Sequence, residues 1–138
     1  MVNFLVKGGF SVYNLSVKTS FDAAHFLRGY TGKCANLHGH RWTVEIEIEG
    51  KTLNEIGILV DFKDIKKALK RETEDYFDHF LMNELEPFDK MNPTAENLAR
   101  HFYYSILPDM KSAGVELNRV TVWESPDAGA TYWEELWN

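Results

Sequence analysis

Cysteine is nearly absent from this chain: among 138 residues there is a single one, Cys34. A disulfide framework within one chain is therefore excluded, and a reducing compartment fits best. No apolar run reaches ten residues, whereas a membrane span needs ~20. No long basic block occurs, and 15 Lys+Arg face 21 Asp+Glu for a net charge of −6. That balance argues against a nucleic-acid partner. The opening MVNFLVKGGF has no basic start and too short an apolar stretch for a signal peptide, so the expected location is cytoplasmic. Repeats, low-complexity tracts and linkers are also missing. What is present is ordinary for a folded protein: 44% apolar and 26% charged residues, with 14% aromatics that exclude disorder. The length suits one domain over 1–138, with 1–10 as a peripheral segment joined through Gly8-Gly9.

Alternation predicts a first strand from about Val12 to Phe21, with Tyr13, Leu15, Val17, Thr19 and Phe21 on one face. A second begins near His40, where Trp42, Val44, Ile46 and Ile48 alternate with polar residues. Asp61 is placed to cap a helix whose apolar side is Phe62, Ile65, Leu69, Thr73 and Tyr76. Asn92-Pro93-Thr94 opens a second helix, capped by Asn92 or by Thr94, with Ala95, Leu98, Phe102 and Ile106 inward and Pro108 and Gly114 ending it. Val115–Glu124 and Ala130–Trp133 read as strands around the Ser125-Pro126-Asp127 turn. The order β-β-α-α-β-β is an α+β fold, a four-stranded antiparallel sheet with two helices on one face. Its two open edges call for pairing between subunits, which can close a larger barrel; a monomer with short charged edges is the alternative.

Five histidines occur: His25, His38, His40, His79 and His101. His38 and His40 are in phase with the inward residues of the second strand, since i and i+2 share a face. Gly39 between them permits close approach of a backbone or ligand. His25 is in phase with Leu15, Val17 and Phe21. A hairpin of these two strands sets His25 beside His38 and His40. Three imidazoles at the end of an apolar face cannot satisfy one another, and a divalent cation such as Zn²⁺ resolves this while keeping a fourth position open. The bland alternative is three satisfied core or surface histidines. His101 reads as a surface residue.

Cys34 lies in a polar loop beside Lys33, near the expected cation; it is either an inert buried thiol or a reactive thiolate. Asp78 next to His79 could orient the imidazole, or the two could be a helix-end Asp and a surface His. Glu124 is in phase with Val120 and Val122. A carboxylate on an apolar face needs partners, either a salt bridge or the N–H groups of a ligand.

Taken in order, Phe21-Asp-Ala-Ala-His25, Cys34-Ala-Asn-Leu-His38-Gly-His40, Asp78-His79, Pro93-Thr94-Ala95-Glu96-Asn97 and Trp123-Glu124-Ser125 resemble the 6-pyruvoyltetrahydropterin synthase family, over nearly the whole chain from Val12 to Glu135. The resemblance implies a tunnelling fold, with sheets of several subunits joined into a barrel in a hexamer of two stacked trimers. It implies zinc on His25, His38 and His40, and Cys34 as the catalytic thiol. It implies Asp78 and His79 as proton-transfer partners from a neighbouring subunit. Glu124 would anchor a pterin ring in a pocket lined by Thr94, Ala95 and Glu96. The Cys-x3-His-x-His spacing is similar to the carboxytetrahydropterin synthases of queuosine and 7-deazapurine biosynthesis. That branch converts 7,8-dihydroneopterin triphosphate to 6-carboxytetrahydropterin, acetaldehyde and triphosphate. Pyruvoyl synthases, with wider spacing, and a non-catalytic zinc- or pterin-binding module are the alternatives. Met82 and Ala95 stand where the family more often has Leu and Ser. Arg28, Lys33 and Arg41 are candidates for holding the triphosphate.

Overall fold

The computed structural model describes residues 12–135; the expectations for 1–10 and Gly8-Gly9 lie outside the described residues. Strands β1 (Tyr13–His25) and β2 (His38–Gly50) form a long antiparallel hairpin in the register His25↔His38, Phe21↔Trp42 and Val17↔Ile46. After β2 come α1 (Phe62–Glu72), a short α2 (Glu74–Phe77) and α3 (Ala95–Ser112). Then β3 (Glu116–Ser125) and β4 (Ala128–Tyr132) complete a sheet of order β1-β2-β3-β4, antiparallel throughout. No helix among the described residues is long and apolar enough to cross a membrane.

Period-two alternation places Val17, Phe21, Trp42, Val44, Ile46, Ile48, Val120 and Val122 against the helices, and a register shift in the β2–β3 pairing at Glu47/Ile48 brings Leu117 to the same face, all buried. The other sheet face carries Lys18, Thr43, Glu45, Glu47 and Arg119. β1 extends four residues past Phe21, to His25. The chain at Phe80–Leu81 covers its far edge there, with the Ala24 amide donating to the Phe80 carbonyl at 3.0 Å. Part of an edge expected to need a second subunit is thus paired within the chain.

The helical stretch after Asp61 does not run through to Tyr76. Asp61 caps α1 as expected, accepting from the Lys63 amide. Thr73 ends it, because its buried hydroxyl donates back to the Leu69 carbonyl at 2.7 Å and bends the backbone. The break turns Tyr76 outward, its hydroxyl on the Glu86 carbonyl, and puts Phe77 into the core instead. Phe62 is exposed. Thr94, not Asn92, caps α3, accepting from the Asn97 amide at 3.1 Å. Pro108 lies inside α3 rather than ending it. Both Pro108 and Tyr104, whose carbonyl loses its helical donor, are on the exposed side, where water can serve that carbonyl.

Phe77 is the centre of the aromatic core, with ring centroids 5.8 Å from Phe21, 5.5 Å from Phe102 and 5.9 Å from Phe88. Phe77→Ala is expected to cost about 3–5 kcal/mol of stability, measured by denaturant unfolding. A loss under 1 kcal/mol would contradict this packing.

His101 is not a plain surface residue. Its ring packs 5.3 Å from Phe88 and 6.2 Å from Phe77, and burial holds its pKa below the ordinary 6.5. The unfolded chain then binds the proton more readily, so stability falls as pH drops through about 6.5. A His101→Gln protein should lose less melting temperature between pH 7.5 and 5.5 than the parent. Equal losses would remove His101 as a cause.

Candidate active site

The β1–β2 register brings the far end of one strand to the start of the next. His25 and His38 pair directly, with His40 opposite Ala23. The β2–β3 pairing Thr43↔Trp123 brings Glu124 to the same end. One donor atom from each of His25, His38, His40 and Glu124 lies within 4.8 Å of all the others, a group able to hold a metal ion. Trp42 forms the wall beneath, its ring 4.8 Å from that of His25 and 5.4 Å from that of His40, and its indole N–H donates to the Ala23 carbonyl.

The hydrogen bonds behind the rings fix their chemistry. His25 Nδ1 is 2.8 Å from the Pro93 carbonyl, and His38 Nδ1 is 2.7 Å from that of Asn36. A carbonyl only accepts, so both Nδ1 atoms carry hydrogen, and each neutral ring keeps its lone pair on Nε2. Those two Nε2 atoms face each other at 2.9 Å. Two lone pairs at that distance repel unless a proton or a cation lies between them. Burial, the largest influence, lowers the His25 pKa and opposes the proton. His40 Nε2 is buried without a hydrogen-bond partner among the described residues. It lies 3.2 Å from a Glu124 oxygen, and His25 Nε2 lies 3.4 Å from the same oxygen. Burial lowers the His40 pKa as well. Three converging neutral nitrogens beside a carboxylate are the donor set that suits a borderline divalent cation. The carbonyls behind His25 and His38 fix their tautomers, as second partners of ligating histidines do.

A cleft of about 500 Å³ has one residue of this centre, His40, and His79 of a second pair in its wall. Asp78 Oδ2 is 2.9 Å from His79 Nδ1, and its Oδ1 accepts from the Asp22 amide at 2.8 Å. The Asp22 N–H first, and His79 second, keep the Asp78 carboxyl below the usual range. His79 has φ 65°, in the left-handed region, and its amide donates to the Asp22 carbonyl. With Nδ1 on Asp78, the exposed ring presents Nε2 for proton exchange.

The sequence matches the profile of the 6-pyruvoyl tetrahydropterin synthase family over residues 14–135. The chain belongs to that family. It is 34% identical to the 6-carboxy-5,6,7,8-tetrahydropterin synthase of Rickettsia bellii over 80% of this chain and 92% of that protein. It is 31% identical to that of Haemophilus influenzae over 89% of this chain and the full length of that protein. The structure of Caenorhabditis elegans 6-pyruvoyl tetrahydropterin synthase superposes with a TM-score of 0.80 at 26% identity, covering 91% of this chain and 98% of that one. The fold is the tunnelling fold of that family, and the protein is an enzyme of pterin metabolism.

The remaining family positions are placed as follows. Cys34 is half-buried in a 3₁₀ turn, Lys33–Ala35, outside the four-residue donor cluster. The Thr94 hydroxyl is used as the α3 cap; Ala95 is half-buried and Glu96 exposed. Pro93 immediately precedes them, so the carbonyl holding His25 and the start of α3 move together. Arg28 is not placed to grip an anion: its guanidinium donates to the Met91, Asn83 and Phe88 carbonyls at 3.3, 3.3 and 3.1 Å. Arg41 is exposed, 3.6 Å from Asp22. Gly39 lines the cleft, and within the chain a Cβ there would meet the Ala23 carbonyl at 3.9 Å.

Sequence reasoning missed two features. Glu124 stands at the histidine centre; its phase with Val120 and Val122 and a β2–β3 pairing would have found it. The Pro93 and Asn36 carbonyls carry no side-chain signal at all.

Proposed function

We propose that the protein is a zinc-dependent carbon–carbon lyase that converts 7,8-dihydroneopterin triphosphate and one water to 6-carboxy-5,6,7,8-tetrahydropterin with release of acetaldehyde and triphosphate. The observation that carries this is the set of three converging imidazole nitrogens, approached in sequence by Cys-x3-His-x-His. The names of the Rickettsia and Haemophilus relatives support the carboxy product. On this reading the whole chain, 1–138, is one pterin synthase domain serving queuosine and 7-deazapurine synthesis in the cytoplasm, assembled through its sheet edges as a hexamer of two trimers.

His25, His38 and His40 would hold Zn²⁺, which supplies Lewis acidity toward the hydroxyls of the substrate side chain. Glu124 accepts N–H donors of the pterin ring, two to one carboxylate, in a pocket bounded by Thr94, Ala95 and Glu96. Cys34 as thiolate takes a proton from the side chain. His79, oriented by Asp78, relays a proton through Nε2. Cys34 does not line the cleft that holds His79, which supports supplying the Asp78–His79 pair to Cys34 from a neighbouring subunit.

The C. elegans neighbour favours a second reading, a pyruvoyl synthase acting on the same substrate without carbon–carbon cleavage. Incubation with dihydroneopterin triphosphate and mass spectrometry of the products separates them. Acetaldehyde with a carboxypterin is expected; a pyruvoyl product without acetaldehyde would replace the first reading by the second.

A further inference from the structure

Beyond His25, where β1 ends, residues 26–28 have no neighbouring strand, and two carboxamides bind their backbone instead. The Phe26 amide donates to Asn83 Oδ1, and Asn83 Nδ2 donates to the Phe26 carbonyl, both at 2.9 Å. Two residues on, the Arg28 amide donates to Asn92 Oδ1, and Asn92 Nδ2 donates to the Arg28 carbonyl, again both at 2.9 Å. On the opposite edge the Leu27 amide donates to the carbonyl of Cys34 at 2.9 Å. The segment therefore alternates as a strand does, with two side chains on one side and the cysteine turn on the other. Arg28 closes the arrangement by reaching the carbonyls of residues 83, 88 and 91. Asn83 is 5% exposed, so its two polar groups are satisfied by this pairing rather than by water.

We propose that Asn83 and Asn92 are positioning residues for Cys34: they clamp residues 26–28, and the Leu27 N–H carries that restraint to the turn bearing the thiol. The inference rests on the thiol role proposed above. A misplacement of about 1 Å at a reacting group costs on the order of 100-fold in rate, so a clamp far from the chemistry can control turnover. Asn92 also precedes Pro93, whose carbonyl orients His25.

Asn83→Asp and Asn92→Asp keep size and the acceptor oxygen but set a carboxylate against a carbonyl. In the metal-loaded enzyme, kcat is expected to fall about 10- to 100-fold with KM within about threefold. Alkylation of Cys34 by iodoacetamide should become at least about fivefold faster, because the turn is freed. Alkylation at the parent rate or slower, in either folded variant, overturns the clamp. Should Asn83→Asp fail to fold, Asn92→Asp decides alone. Cys34→Ala separates the two ideas. If it keeps full turnover, the thiol role falls, whereas faster alkylation in the Asn variants still supports the clamp, because it reads where the sulfur is held.

Discussion

His38→Ala is expected to lose most of the bound metal and nearly all turnover, with zinc affinity down by on the order of 100-fold or more. The size follows from the donor count. Three imidazoles converge on the ion's position, and an alanine removes one of the three nitrogens. Stability should show a crossing that activity does not. Without metal, the facing Nε2 lone pairs of His25 and His38 at 2.9 Å repel, so the metal-free variant should melt no lower than the metal-free parent. With zinc in excess the parent gains stability by preferential binding to the folded state, about 2.7 kcal/mol at 100 times the dissociation constant. The variant should gain little. Metal analysis and melting curves with and without zinc measure both. Stoichiometric zinc retained in His38→Ala would remove the ligand assignment.

Cys34→Ala is expected to abolish turnover, by on the order of 10²- to 10⁴-fold in kcat, as for loss of a positioned acid–base group. Zinc content and pterin binding should be unchanged. The reason is spatial: Cys34 lies outside the donor cluster, and its backbone carbonyl, which alanine retains, carries the bond from the Leu27 amide. The side chain can then be removed without loosening the metal centre. Zinc lost together with activity would place the sulfur among the ligands. Activity kept at the parent level would remove the thiol from the mechanism.

Much of this was legible in the sequence. Alternation identified the strands, because a half-buried strand repeats every two residues, and His25, His38 and His40 sit in phase with their apolar sets. Element ends were read less well. Strand β1 runs on to His25 because its ladder with β2 continues to His25↔His38, and the chain at Phe80, 56 residues away in sequence, pairs with Ala24 on the other side. The first helix breaks at Thr73 because a hydroxyl chose the Leu69 carbonyl. Pro108 did not end α3, because its lost hydrogen bond faces solvent. Arg28 looked free for an anion, yet three carbonyls from a distant loop hold it.

The inventory and its sidedness were readable from the residues alone: which imidazoles face inward, and which family the order of motifs belongs to. Those follow from local periodicity, which needs no knowledge of the rest of the chain. The tautomers and the carboxamide hydrogen bonds came only with folding. Backbone carbonyls of Pro93 and Asn36 turn two Nε2 lone pairs toward each other, and the carboxamides of Asn83 and Asn92 bind the backbone of Phe26 and Arg28. Main-chain groups are the same in every residue, so their partners become known only when distant segments meet.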